Sequence, residues 1–265
     1  MCIRLHYLLD RFLRWVYRNP SVEAFLNRLA FFAVFFLLFL ASAVFADPGV
    51  YQNNKKAVLY LGSAPPVVDG NFADWAGLLG TSPEKFAYGK LRATKDPSAV
   101  IVWRTDNKKL FIYAEVTDSV ANENDLPAPL AWRNDSLELY IGTDTSSHIH
   151  YVPTDNQIRL VPVSRDDATK IGVSVNDRIV DTERDVEGRV IYTDTGYRIE
   201  AAVPLRLLRI KEFAVGQAIR CDFQLNDANT GERENLTHWN SKSDNTYFDP
   251  SAWGDGVVEA LSGAK

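Results

Sequence analysis

The chain is poor in the residues on which much enzyme chemistry depends, with two cysteines, one methionine and four histidines among 265 residues. Cys2 stands at the extreme amino end and Cys221 in the alternating stretch AIRCDFQL, so no disulfide can form within residues 47–265, and Cys221 reads as a small buried apolar group. The sole methionine is Met1, which excludes methionine as an axial haem ligand. There is no GxSxG elbow, HExxH helix or CxxC pair, which removes the chemistries those motifs serve. His6 falls in the leader described below. His148 and His150, two apart in DTSSHIHY, would share one side of a strand and suit a metal, or form a solvated pair at a hairpin end; His238 stands alone. Glu138 with Glu200 or Asp227 could serve as a glycosidase pair, but acidic residues are so numerous that such a pairing carries little information.

What the chain does have begins with an apolar run. Residues 29–46 carry no charge and follow Arg4, Arg11, Arg14, Arg18 and Arg28, a pattern that addresses the chain to a membrane with its basic side inside. Val44 and Ala46 suit a signal-peptidase site, whereas the long stretch before the run suits an uncleaved anchor. Residues 1–46 are therefore a signal peptide or anchor helix, 47–56 a polar spacer, and 57–265 an exported domain. Removing the leader's five basic and two acidic residues leaves 24 Lys and Arg against 32 Asp and Glu, a net charge of -8 that argues against nucleic acid or anionic lipid as a partner.

Short apolar alternations separated by turn residues, with no amphipathic helix of three turns, predict an all-β, two-sheet β-sandwich of jelly-roll or immunoglobulin-like type. Strands are expected at 57–61, 98–104, 110–117, 135–142, 157–163, 171–175, 188–193, 197–203, 218–226 and 255–260. Leu110, Ile112, Ala114 and Val116 should face the core and Phe111 and Tyr113 the other way. Single helical turns are expected at Asn71 to Trp75 and Pro204 to Leu208, and loops at 118–125 and 226–234.

Flat aromatics beside planar polar side chains suit a sugar, whose ring offers an apolar face and an edge of hydroxyls. Trp132 precedes the strand DSLELYI, in which alternation puts Leu137, Leu139 and Ile141 inward and Glu138 outward. In QIRLV, Arg159 likewise opposes Ile158 and Leu160. On pattern alone the same residues read more readily as a core-capping tryptophan and a surface ion pair.

In order, PPVVDGNFADWAG, IVWRTDNKKLFIYAEVTDS, AWRNDSLELYIG, GYRIEAAVPLRLL, IRCDFQLNDANTGER and HWNSKSDNTYFDPSAWGD resemble blocks of the family-nine carbohydrate-binding modules, related to DOMON-type ligand-binding domains. The resemblance implies a non-catalytic sandwich that clamps a terminal sugar of a poly- or oligosaccharide between Trp132 and Tyr247. Glu138, Arg159 and Asp244 or Asn245 would be its polar contacts, and Val161 stands where a familiar kind of member has asparagine. Structural calcium is implied, with Asp118 and Asp135 as ligands of suitable hardness. The expected location is the periplasm or surface of a Gram-negative bacterium, with an inner-membrane tether if the leader stays. Two other readings are a haem-binding electron-transfer domain of the same superfamily and an envelope domain that has lost its ligand.

Overall fold

Alternating side chains and turn residues yield strands throughout the computed structural model, which describes residues 51–52, 56–89, 97–181 and 184–261. The leader expected at 1–46 lies outside the described residues, among which no helix is long and apolar enough to cross a membrane. The strands are β1 (Tyr51–Gln52), β2 (Ala57–Leu61), β3 (Leu79–Gly80), β4 (Lys85–Gly89), β5 (Ser98–Thr105), β6 (Lys109–Thr117), β7 (Ser136–Gly142) and β8 (Asn156–Pro162). Then come β9 (Ile171–Val175), β10 (Arg178–Ile179), β11 (Glu187–Thr193), β12 (Gly196–Pro204), β13 (Ala218–Asp227), β14 (Asn235–His238) and β15 (Gly254–Ala260). All ten predicted strands are present with ends shifted by a residue or so, and the two helical turns are 3₁₀ turns at Phe72–Trp75 and Leu205–Leu208. β1, β3, β4, β10 and β14 were not anticipated; β1 pairs with β3 from within the predicted spacer.

Thirteen strands form one mixed sheet in the order β10-β9-β8-β7-β13-β15-β2-β5-β6-β12-β11, with β14 and then β4 attached to β13. Only β15–β2 and β2–β5 are parallel within it. The sheet curls so that one face of both halves shares a core: Leu137, Leu139 and Ile141 of β7 and Phe223 of β13 join Ile101 and Trp103 of β5 and Ile199 of β12. That is consistent with a β-sandwich. Trp103 and Phe223 meet edge to face at 4.9 Å within this core.

The outer faces of the two halves differ. Phe111 and Tyr113 do face away from the core, but both are buried, in a second apolar cluster with Tyr60, Val102 and Trp75. The segment 67–79 covers that face. Its Trp75 stacks on Tyr113 and donates through Nε1 to Glu200 Oε1 at 2.7 Å, while the Gly70 and Asp69 amides donate to Oε2 at 2.7 and 3.0 Å. Gly70 has φ +81°, and a Cβ there would run into Ile191. Glu200 thus holds the covering segment and stands apart from Glu138, so the imagined catalytic pairing of those two is absent. The outer face of β7, β8 and β13 is instead polar.

Candidate functional site

Alternation within three strands and the register between them build the floor of the site. Glu138 on β7 sits directly opposite Arg159 on β8 and Gln224 on β13, so residues far apart in sequence form one row across the sheet. The row is buried, with Glu138 1% and Arg159 3% exposed, and an unpaired charge at such a depth would be costly. Glu138 is thoroughly satisfied. Arg159 Nε lies 3.2 Å from Oε1, Asn226 donates to Oε1 at 2.9 Å and Gln224 at 3.2 Å, and Tyr140 and Gln157 donate to Oε2. Burial alone would push the Glu138 carboxyl up, but the Arg159 charge and these hydrogen bonds outweigh it and hold the group below the usual glutamate range. Arg159 also reaches Asp177 at 3.1 Å. Asp177 stands at the tip of the β9–β10 hairpin, where Asn176 and Asp177 both have positive φ, as a two-residue turn of this hand requires.

Loops supply the walls. Trp132 lies in the 3₁₀ turn Ala128–Arg133 just before β7 and is half-buried. Asp244 and Tyr247 lie in the loop after β14, whose start is fixed by the Asn240 and Ser241 amides donating to buried Asp222 at 2.8 and 2.9 Å. The far end is fixed by buried Trp253, which donates to the Thr246 carbonyl at 3.0 Å. Tyr247 is 54% exposed and meets Phe248 edge to face at 4.9 Å. Trp132, Glu138, Arg159, Asp244 and Tyr247 thereby surround one cavity of about 270 Å³, joined by Gln157, Asp177, Gln224 and Arg233. Asn245 is not in that lining; its side-chain carbonyl accepts from the Ser243 hydroxyl.

Arg233 escaped the sequence reading. Its guanidinium lies 4.8 Å from the Trp132 ring centre and pairs with Asp244 at 2.5 Å, so it joins the two walls. Gln224 was missed because cross-strand register is not local, whereas the Asn-Asp dipeptide was an available turn signal for Asp177.

Asp118 and Asp135 also come together, with Asp227 as a third member; all three are buried and offer oxygens within 4.8 Å of one another. Burial above all, with Asp118 and Asp227 adding to it, raises the Asp135 carboxyl to about 8 against the opposing amide bonds from Asn122 and Ala228. His148 and His150 lie in a loop between β7 and β8 and not on a strand; His148 pairs with buried Asp155 at 2.7 Å. His238 is buried, 3.7 Å from Asp222.

The chain is similar to several known proteins. The chain is 28% identical over 192 residues to "Exoglucanase XynX" of Acetivibrio thermocellus, covering 72% of this chain and 16% of that protein. It is 32% identical over 158 residues to "Endo-1,4-beta-xylanase C" of Paenibacillus barcinonensis, covering 59% of this chain and 13% of that one. The chain thus spans only a small part of the length of these relatives. Its fold resembles that of a family 9 carbohydrate-binding module from Caldicellulosiruptor kristjanssonii in complex with cellotriose, at 23% identity, TM-score 0.61, 78% of this chain and 95% of that one. The complex of such a module from the same organism with glucose gives 22% identity, TM-score 0.61, 80% and 99%. Residues 68–260 match the family described as "Carbohydrate family 9 binding domain-like", and the chain belongs to that family.

Proposed function

We propose that the domain at 57–265 binds the terminal sugar of a poly- or oligosaccharide without catalysis, the ring held between Trp132 and Tyr247 and its hydroxyls met by Glu138, Arg159 and Asp244. The observation that carries this reading is the buried Arg159–Glu138–Gln224 row beneath a half-exposed aromatic wall. Charges fixed in place before a ligand arrives can hydrogen-bond hydroxyls without reorganising, and the aromatic rings take the C–H face. A glycosidase needs a carboxyl raised to act as acid, and the Glu138 carboxyl is displaced the opposite way. Haem ligation is less well served, since the ring nitrogens of His148 are engaged by Ser146 and Asp155 and His238 is sealed inside.

Asp118, Asp135 and Asp227 fit a calcium ion, being three buried hard-oxygen donors drawn together despite their like charge. Such an ion would tie the loop after β6 to the entry of β7 and the end of β13. Beyond the described residues, the basic and apolar leader at 1–46 supports export, to the periplasm or cell surface.

Titration of the chain against a glycan array, followed by calorimetry on the best hit with wild type and Trp132→Ala, tests the function. Binding that survives in Trp132→Ala with its affinity unchanged removes the clamp from the account.

A further inference from the structure

One side chain closes the loop 143–155, which joins β7 to β8. His148 turns both of its ring nitrogens on acceptors, Nδ1 lying 2.8 Å from the Ser146 carbonyl and Nε2 2.7 Å from Asp155 Oδ2. A carbonyl and a carboxylate only accept, and a neutral imidazole carries a single N–H. Both contacts are hydrogen bonds only when the ring is protonated. The charged groups that face it agree: burial would lower the pKa of the ring, but the bond and charge of Asp155, the Ser146 carbonyl and the charge of Asp144 outweigh it and raise it above the ordinary histidine value.

The partner of His148 is anchored. Asp155 is buried, and its Oδ2 also accepts the Val152 amide at 3.0 Å. A Cβ on Gly142 would come within 2.2 Å of Asp155 Oδ1, so the glycine that ends β7 is what lets the carboxylate tuck against the strand. Among the described residues His148 is the one cation within ion-pair reach of Asp155, and a buried carboxylate left without a partner is costly. Between the two the loop carries Tyr151, whose ring meets Trp253 edge to face at 5.4 Å. Trp253 in turn lies 5.7 Å from Tyr140, the residue that donates to Glu138 Oε2 at 2.9 Å, and its indole holds the Thr246 carbonyl beside Tyr247. The loop closed by His148 therefore backs both the floor of the cleft and one of its walls.

We propose that protonated His148 is a latch, a positioning residue that clasps the loop 143–155 behind the Trp132–Tyr247 cleft, so that sugar is held more tightly with the ring charged than with it neutral. The proposal rests on the reading of that cleft as a sugar site. Loss of the ring proton leaves one nitrogen lone pair facing an acceptor, and Tyr151 and Trp253 lose part of what presses them against Tyr140. The tight state thus lies at lower pH and is given up as pH rises through the raised histidine value. By linkage, bound sugar should in turn hold the proton on His148.

Calorimetric titration of the full chain, in mild detergent, with cellotriose at about pH 6.5 and about pH 8.5 tests it, spanning the range above the ordinary histidine value and repeated for His148→Asn and Asp155→Asn. Asp222, which fixes the Tyr247 loop, titrates at about 6 and so below that range. Wild type is expected to lose about fivefold in affinity between the two conditions, the low end of coupling between linked sites. His148→Asn, which cannot carry the charge, should bind at the weaker level in both, and Asp155→Asn likewise. An affinity in wild type that does not change with pH overturns the latch while leaving the cleft intact. His148→Asn binding as tightly as wild type at the lower pH overturns it as well. A fall of the same size in His148→Asn also overturns it, because the proton would then be lost elsewhere, as from Asp135. Failure of wild type to bind cellotriose at either pH overturns the reading of the cleft for glucans and the latch with it.

Discussion

Arg233 and Asp244 are joined by a 2.5 Å ion pair that ties the Tyr247-bearing loop to the element carrying Trp132, because the same guanidinium lies over the indole. The pair is part-buried, so its contribution to stability is modest while its effect on the spacing of the two walls is direct. Arg233→Met keeps the length and loses the charge. It is expected to lower sugar affinity by about tenfold, roughly 1.4 kcal/mol, while the melting temperature falls by only a few degrees. Arg233→Lys should not rescue, since a point charge cannot both stack and fork. Full affinity in Arg233→Met would remove the residue from the site.

The clamp aromatics and the floor carboxylate should separate in a thermal melt. Trp132→Ala should abolish detectable glycan binding with little change in melting temperature, because the ring is already half in solvent. Glu138→Gln should both weaken binding, by roughly 1 to 3 kcal/mol, and destabilise the fold, since it removes the buried charge that faces buried Arg159. A loss on the order of 3 to 5 kcal/mol in Trp132→Ala with binding retained would mean the tryptophan belongs to the core.

Stability of the metal-free protein should depend on pH in a direction set by Asp135. Its carboxyl stays protonated to about 8 in the fold, whereas in an unfolded chain it ionises near ~3.9. The folded state therefore binds more protons between these values, and stability falls as pH rises toward 8. Burial lowers His238 to about 4 and raises Asp222 to about 6, so the window from about pH 6.5 to 8.5, above the unfolded histidine value, leaves Asp135 and His148, whose pairing with Asp155 outweighs burial and raises it; the slope that persists in His148→Asn is that of Asp135. Calcium should raise the melting temperature and flatten that slope. Identical melts in chelator and in millimolar calcium, at every pH in the window, would remove the ion.

Glu200 offers a control outside the site. Glu200→Ala strips the Trp75 indole and the Gly70 and Asp69 amides of their acceptor, and leaving the two buried donors, the indole and the Gly70 amide, unpaired costs about 1 to 3 kcal/mol each. The melting temperature should drop sharply, whereas any glycan affinity measured well below the melt should be unchanged. A loss of affinity in the folded variant would link the two outer faces of the sheet.

Alternation made most strands readable, and it aimed Glu138 and Arg159 at a common face before any pairing was known. It could not show that they meet, because Glu138 opposite Arg159 and Gln224 is a matter of register between strands about 20 and 86 positions apart. β4 and β14 were missed since KFAYG and NLTH are too short to display a period. Phe111 and Tyr113 were placed on the correct side, but their burial depends on Trp75 and its segment folding over them. Asp244 and Asn245 are neighbours in a loop, where no period tells which of two adjacent side chains turns inward.

β15 has a consequence for how the domain is made. It lies between β13 and β2, and within the main path it joins the half that carries the site to the half covered by Trp75. Residues 57–61 wait for residues 256–260, nearly 200 positions later, before they gain that neighbour. Loop closure over such a distance slows folding. A chain delivered amino end first cannot complete its sheet until residues 254–260 have emerged, so the nascent domain should assemble only after that point. Until then β2 and β13 expose ladder edges, which makes residues 254–260 the stretch whose loss would convert a binding module into an aggregation-prone half-sheet.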